Sequence, residues 1–591
     1  MKNKKIQIRI AILFTALLFF CVINCPAHDE PLTVPKLTFV TGTNKGEIRY
    51  SWTATTSTGI VNYTLLVLKG WHGADEVTAY GSWEAAGADA QSGTFAGEAG
   101  EWYSAVLVVA SGSDEVFSDV IRTKARHTGA GEFDLRFGVI SDVHVGAGDS
   151  YPTYQRFEKV LDWYNTEDVT ALAIVGDITE NGWQSEWNTF KNSWEGHKGK
   201  LQLVAVMGNH EIWDIHRYGD NNETINNATD RFEAATGQKT NAHYVINDYH
   251  FIVLSAGAGN FTDTGAMGGA IATGRTDTPG TFYGNEIPQS VRDWARIRIE
   301  LAKADAPGQP IFVFLHWPIR NTFLGSEAGS STPSFGINPL TGFFKDDPEV
   351  IIFGGHHHRP NNDPRSIWQG GFTAVNVPTL NYMGLGSGYL GNSTDGVTNS
   401  GRPKIAGQPV GAGQGMIVSV KGSKVIIENY DFDFNEGPQP LGNVVRIPQT
   451  WEFDVSQPFD FPYTNARRET QKTAPVFDRT LVTIKNITDT TIEVEFPQAK
   501  IPGPNYGNEI VFSYRFDFIN RQTGVVERTV RQWSDFMLHP RLQKPTYTQL
   551  IGGLTPNTNY ELRIYAYGSF QECSTQYLTC IVYSEHPDNF P

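Results

Sequence analysis

Five short apolar runs in the middle of this chain each stop at a residue able to donate to a metal ion. Phe137 to Ile140 leads into Ser141-Asp142-Val143-His144, and Ala171 to Val175 into Gly176-Asp177. Leu203 to Met207 leads into Gly208-Asn209-His210-Glu211, Ile311 to Leu315 into His316-Trp317-Pro318, and Val350 to Phe353 into Gly354-Gly355-His356-His357-His358. Runs this short, apolar throughout and rich in Val and Ile, read as strands buried on both faces. Helical patterns lie between them. Tyr154, Phe157, Val160, Leu161 and Tyr164 fall on one helical face, as do Trp183, Trp187, Phe190 and Trp194, and Val291, Trp294, Ile297 and Leu301. Strands alternating with helices predict an α/β layered domain. Sheets of that kind place their ligand sites just beyond the carboxyl ends of their strands. Asp, Asn and His side chains converging there would be costly without a partner, which divalent cations supply.

The spacings fit this reading. Asp142 and His144 are two apart, so an extended chain points both to one side; His356 and His358 repeat the spacing and turn His357 away. Gly176, Gly208 and Gly355 sit just before donors, where a missing Cβ lets backbone approach the site closely. Pro318 ends its strand. A second set of strand-like pieces, His243 to Ile246, His250 to Ser255, Gly415 to Val420 and Lys424 to Tyr430, reads as hairpins that extend or face the first sheet.

The series D-x-H, G-D, G-N-H-E, a lone His and G-H-x-H, in this order and each after a buried run, resembles the calcineurin-like metallophosphoesterase superfamily over roughly residues 133 to 455. The resemblance implies a layered β-sandwich flanked by helices. It also implies two divalent metal ions, one held by Asp142, His144, Asp177 and His358, the other by Asp177, Asn209, His316 and His356, with Asp177 bridging. Paired metals about 3.5–4 Å apart would hold a bridging hydroxide for in-line attack on the phosphorus of a monoester or diester. His210 would act as general acid for the leaving oxygen or stabilise charge beside it, making His210 and Asp177 the catalytic pair. With no Cys donor, manganese, iron and zinc all suit the set. Purple acid phosphatases carry Gly in place of the first-motif His and a Tyr three residues after the bridging Asp. Here those positions hold His144 and Glu180, so a tyrosinate-iron centre is not expected. The form Gly176-Asp-Ile-Thr-Glu-Asn-Gly182 is similar to the cyclic-nucleotide phosphodiesterase-like branch. Arg217, Arg320 and Arg359 follow motif residues and read either as phosphate clamps, Arg320 and Arg359 being the stronger candidates, or as solvated loop charges. The role of Glu211 stays open, as does whether His216 or His250 lies near the site.

Both flanks read as all-β. Residues 28–130 show short alternating runs split by Gly-rich turns, such as Tyr63 to Leu68 and Ser104 to Ala110, the pattern of a small sandwich of Ig or fibronectin type. The metal-binding region then spans 131–455, a polar linker 456–472, and a second sandwich 473–591. In the last, Leu554, Pro556, Thr558 and Tyr560 resemble the tyrosine corner of a fibronectin type III domain. The Trp183, Trp187 and Trp194 stripe reads as core packing, and the long loop from Asn321 to Phe344 as a lid or an insertion.

The first 27 residues form a leader: Lys2, Lys4, Lys5 and Arg9, an apolar run from Ile10 to Ile23, then Ala27. That run is shorter than the roughly 20 residues a membrane span needs, so a signal peptide is expected, with export to the periplasm or cell surface. A membrane partner enters only through lipidation of Cys25. Without the leader, 47 Lys and Arg fall to 43 against 63 Asp and Glu, and the net charge moves from −16 to −20. Such a surface repels polyanions, so the expected partner is a small phosphorylated substrate and not nucleic acid. Cys573 and Cys580 are expected to pair in an oxidising compartment. Oligomeric state is left open. The competing function is a surface binding or adhesion protein on a catalytically degenerate scaffold.

Overall fold

The computed structural model describes residues 32–584 except 34–35, 43, 54–61, 71, 88–91, 100, 112–113, 126–130, 148–152, 213–224, 256–260, 264–286, 288, 327–339, 382, 385–412, 433–443, 479, 504, 506–507 and 538–544. The leader with Cys21 and Cys25 lies outside the described residues, as do His127, His216, Arg217, His539 and much of the Asn321–Phe344 loop. The chain divides into two compact units, Met1–Glu132 and Phe133–Pro591.

In the second unit the buried runs become strands of two facing sheets. The first sheet holds β1 (Leu135–Ile140), β2 (Ala171–Val175) and β3 (Gln202–Val206); helices α1 (Thr153–Thr166) and α2 (Gln184–His197) connect them, and α3 (Ile225–Thr236) follows. The second sheet adds β4 (Asn241–Ile246), β5 (Tyr249–Leu254), β6 (Phe261–Asp263), β7 (Ile311–Leu315), β8 (Val350–Gly354), β9 (Ile367–Gln369) and β10 (Thr373–Asn376), with α4 (Gln289–Asp305) ahead of β7. The chain then returns to the first sheet as β11 (Gly413–Lys421), β12 (Lys424–Phe432) and β13 (Val444–Asp454). The sheet orders are β3-β2-β1-β11-β12-β13 and β6-β4-β5-β7-β8-β10-β9. β1, β2 and β3 run parallel, as do β5, β7, β8 and β10, so the carboxyl ends within each set lie together.

Alternation along each strand decides the layering. Phe137, Val139, Ala173 and Val175 face the second sheet and pack on Phe251, Phe312, Phe314 and Phe353. The Phe137 ring meets Phe251 and Phe312 edge-on, both at 4.9 Å between centroids. Each such ring contributes about 1.5–3 kcal/mol through removal from water. Ile140, Leu172 and Ile174 face outward and are covered by Phe157, Val160, Leu161, Trp187 and Phe190, while Ile252 and Val313 belong to the same core as Val291 and Trp294. The result is a helix-flanked double sheet. Two expected helix faces shift. Trp183 precedes α2 and is 42% exposed, leaving Trp187, Phe190 and Trp194 as the buried stripe. In α4 the buried positions are Val291, Trp294, Ala295, Arg298, Ile299 and Ala302, which place Ile297 on the solvent side at 47% exposure.

Within the same unit, Thr483–Ile487, Thr491–Pro497 and Thr546–Gly552 form one sheet; Val526–Trp533, Val511–Asn520, Thr558–Gly568 and Leu578–Ser584 form another. Ile492, Val494, Phe496, Tyr514, Phe516, Leu562 and Ile564 share their core. The buried Tyr560 hydroxyl accepts from the Thr555 amide at 3.1 Å and donates to Glu527 at 2.7 Å. The expected Cys573–Cys580 disulfide is not formed. Cys573 lies opposite Tyr567 and Cys580 opposite Leu562 on one strand. Five residues of strand separate them by about 16 Å, far beyond disulfide reach. Residues 456–472 pack onto the body: the Tyr463 amide donates to Gln369 at 3.0 Å, and buried Arg468 donates to the Pro364 carbonyl at 2.7 Å.

Among its described residues the first unit is all-β apart from the short helix Ala74–Tyr80, which periodicity did not reveal. Leu37–Thr41, Glu47–Trp52 and Ser92–Ala96 form one sheet; Ser82–Gly87, Asn62–Lys69, Trp102–Ser111, Asp114–Phe117 and Ile121–Lys124 form the other. Leu37, Phe39, Ile48, Trp52, Tyr63, Leu65 and Leu107 share a core.

Candidate metal centre

Strand ends bring the donors together. Asp142 and His144 follow β1, Asp177 follows β2, Asn209 and His210 follow β3, His316 follows β7, and His356 and His358 follow β8. The turns after β1 and β2 are laced to each other: the amides of Asp142, His144 and Val145 donate to the carbonyls of Gly176, Asp177 and Ile178 at 3.0, 3.0 and 2.8 Å. Among the described residues three groups of donor atoms result, each within 4.8 Å: His144, Glu180 and His210 form one, and two others meet at a shared carboxylate, Asp142, His144, Asp177 and His358 in the first and Asp177, His316 and His356 in the second. Asp177 belongs to both. Asn209 joins the second through Oδ1, 3.2 Å from His316 Nε2.

The backbone differs from the extended geometry read from the spacing. Asp142, His144, Asp177, His356 and His358 all lie in the left-handed region, with φ of 53°, 52°, 47°, 71° and 53°. Such residues cost of order 1–3 kcal/mol each and persist only where the surroundings over-determine them. Close packing supplies part of that constraint. A Cβ on Gly208 would stand 2.3 Å from Asp177 Oδ1, and one on Gly355 2.1 Å from Ser141 Oγ.

Hydrogen bonds fix which ring nitrogens face the centre. Glu180 can only accept at its carboxylate, so His144 donates through Nδ1 at 2.8 Å and presents a bare Nε2. Burial pushes the His144 pKa down and keeps the ring neutral. His316 donates from Nδ1 to the Val175 carbonyl at 2.7 Å, across the two sheets. Its Nε2 faces Asp177 Oδ1 and His356 Nδ1, both at 3.2 Å. Burial opposes charge on His316, yet Asp177 pushes its pKa up to about 9: this cage asks for positive charge. In the other group, His358 Nε2 stands 3.0 Å from Asp142 Oδ1 and 3.3 Å from His144 Nε2. Burial raises the Asp142 carboxyl, but His358 and then His316 pull it below the usual range, so it is ionised. The three converging atoms therefore share at most one proton. Imidazole nitrogens and carboxylate and amide oxygens aimed inward in this way suit divalent transition metals.

Residues 135–360 match the family described as calcineurin-like phosphoesterase. This chain carries a calcineurin-like phosphoesterase domain. Among solved structures it is similar to a purple acid phosphatase from yellow lupin (Lupinus luteus) seeds, with 12% identity, 72% of this chain and 75% of that chain covered, and a TM-score of 0.34. It is also similar to Vacuolar Protein Sorting 29 from Cryptosporidium parvum (14% identity, 55% and 100% covered, TM-score 0.23) and to wild-type Vps29 complexed with zinc from Entamoeba histolytica (12%, 54% and 99%, 0.21). Comparison with curated proteins returns no match.

Two carboxylates of the phosphoesterase domain gained no role from sequence. Glu211, fully buried, accepts from the amides of Asp177 (3.1 Å), Thr179 (2.9 Å) and Gly208 (2.6 Å) and from the Thr179 hydroxyl (3.1 Å). It staples the turns after β2 and β3, and burial followed by Asp177 pushes its pKa up to about 7. Glu180 serves both His144 and His210: its carbonyl accepts from His210 Nδ1 at 2.6 Å, which leaves His210 Nε2 4.0 Å from Asp177 Oδ2. Its position three residues after Asp177 was the signal available. His357 is turned off the donor set, and burial and then Arg359 push its pKa down to about 3. Arg359 packs against Gly325, and Arg320 is half-buried after β7. His250 lies at the start of β5, paired with Ile311 at the start of β7, at the opposite end of the sheet from His316.

Proposed function

We propose that this chain hydrolyses phosphomonoesters or phosphodiesters with two divalent metal ions, manganese, iron or zinc, in the cage shared by Asp177. The observation that carries the reading is the pair of inward-facing donor groups joined at one carboxylate. Asp142, His144, Asp177 and His358 would hold one ion, and Asp177, Asn209, His316 and His356 the other. Bound there, the ions would polarise the phosphoryl oxygens and supply an activated water for attack on phosphorus. The chain's own contribution is order and a proton. Glu180 and the Val175 carbonyl lock His144 and His316 so that each turns Nε2 inward. In the metal-free chain burial pulls His210 toward the neutral form, and Asp177 and the Glu180 carbonyl raise its pKa; with Nδ1 bonded to that carbonyl, Nε2 is the nitrogen that would pass a proton to a leaving oxygen. Arg320 and Arg359 are the candidate substrate contacts. The basic-then-apolar leader supports action outside the cytoplasm on a small phosphorylated substrate.

Purified protein with added manganese, assayed on p-nitrophenyl phosphate and bis-p-nitrophenyl phosphate, tests the reading. Turnover that disappears in Asp177→Asn is expected. No turnover on either ester, together with no bound metal, would remove it. The complete donor set weighs against a degenerate binding scaffold.

A further inference from the structure

The strained donors Asp142 and His358 share a support outside the motifs. Residues 379–381 and 383–384 run beside both. Thr379 pairs with Ser141 in an isolated parallel bridge, and its hydroxyl donates to the Asp142 carbonyl at 3.3 Å. The Leu380 amide donates to the Ser141 carbonyl at 3.0 Å. At the other end, the Gly384 amide donates to the His358 carbonyl at 2.7 Å, and a Cβ on Gly384 would stand 2.6 Å from the His357 carbonyl oxygen. Between these contacts Met383 leaves the phosphoesterase domain altogether. It is 1% exposed and buried in a small cluster with Phe512, Trp533, Phe536 and Met537 of the C-terminal sandwich, apart from that sandwich's main core. Phe512 stacks edge-on with Trp533 at 4.7 Å and lies 5.3 Å from Phe536, so the socket is built from rigid rings. A second tie runs alongside: the Arg365 guanidinium lies 4.5 Å over Phe512, while the Arg365 carbonyl accepts from Leu324, in the turn after His316.

We propose that the C-terminal sandwich is a working wall of the metal centre, holding Thr379, Leu380 and Gly384 against Asp142 and His358 through Met383, which is thus a positioning residue. The proposal rests on the phosphoesterase reading. Left-handed donors hold their geometry only when neighbours leave no alternative, and groups that orient metal ligands change affinity 10–100-fold when lost. Met383→Ala removes the anchor while leaving every donor in place. Met383→Leu keeps an apolar side chain of similar volume.

The test uses the full-length protein and manganese alone, titrated by calorimetry, with kcat and KM measured on bis-p-nitrophenyl phosphate. Met383→Ala is expected to weaken manganese binding about tenfold or more and to lower kcat more than KM changes, and Met383→Leu to restore both. Leu554→Ala, in the sandwich's main core, is expected to lower the melting temperature without changing manganese affinity in the folded protein. Should Met383→Ala fail to fold, Phe536→Leu loosens the same socket from the other side and must reproduce the loss of affinity. Wild-type affinity in a folded socket variant would overturn the proposal and leave the phosphoesterase reading standing. A wild-type protein that binds no manganese, zinc or iron would bring down both.

Discussion

Glu211 touches no candidate ligand atom, yet it accepts from three peptide N–H groups and a hydroxyl in the turns that carry Asp177 and Asn209. Glu211→Ala should cost about 3 kcal/mol or more, because each buried N–H left without an acceptor costs about 1–3 kcal/mol; urea unfolding measures it, and a loss under about 1 kcal/mol would mean water replaces the carboxylate. Glu180 acts on orientation. Glu180→Gln can present an amide N–H to His144 and release its tautomer, so metal affinity should drop about 10–100-fold with little change in stability; calorimetric titration separates the two. The donors themselves were legible because Asp, Asn and His at the ends of apolar runs have few other uses. Glu180 and Glu211 were not, because a carboxylate a few residues past a motif looks the same whether it faces solvent or a peptide. The left-handed backbone was hidden too. Asp142 and His144 two residues apart suggested an extended chain, and the lacing of the β1 and β2 turns, which spacing does not reveal, favours the other conformation.

Among elements, the β4–β5 hairpin carries a buried pair far from the metal centre. His243 Nε2 meets His250 Nδ1 at 2.9 Å, and His250 Nε2 meets Asp305 at 3.1 Å. Burial, then His250 and Arg298, pushes the His243 pKa down to about 4. An unfolded chain would protonate His243 near pH 6.5. Its contribution is therefore complete above that pH and lost as pH falls toward 4, by up to about 3 kcal/mol. His243→Gln should flatten the decline in stability between those pH values. Urea midpoints measured across that window check this, and parallel profiles for variant and wild type would assign the decline to other groups. Strands proved more legible than helix faces. A buried strand announces itself by being apolar throughout, whereas Trp183 and Ile297 match a helical period and still face solvent, because the neighbours of α2 and α4 set the rotation of each face.

At the level of the whole molecule, sandwich, layered body and sandwich could be read from the change in periodicity along the chain, whereas the Met383 socket could not. One methionine among loop residues carries no period, and its partners lie more than a hundred positions away. The Cys573–Cys580 expectation failed for a related reason: nearness in sequence says nothing about register on a strand. The donor set also has a mechanical side. Asp142, His144, Asp177 and Asn209 hang from one sheet, and His316, His356 and His358 from the other. Ions gripped from both sides would rivet the two layers together, adding stability that grows with the logarithm of their concentration over Kd. Stripping them with a chelator should lower the melting temperature by several degrees and restoring manganese should recover it; an unchanged melt would show that the layers need no fastening. The ions proposed to cut the substrate would then also be what clamps the protein shut, and starving it of metal would weaken its skeleton along with its chemistry.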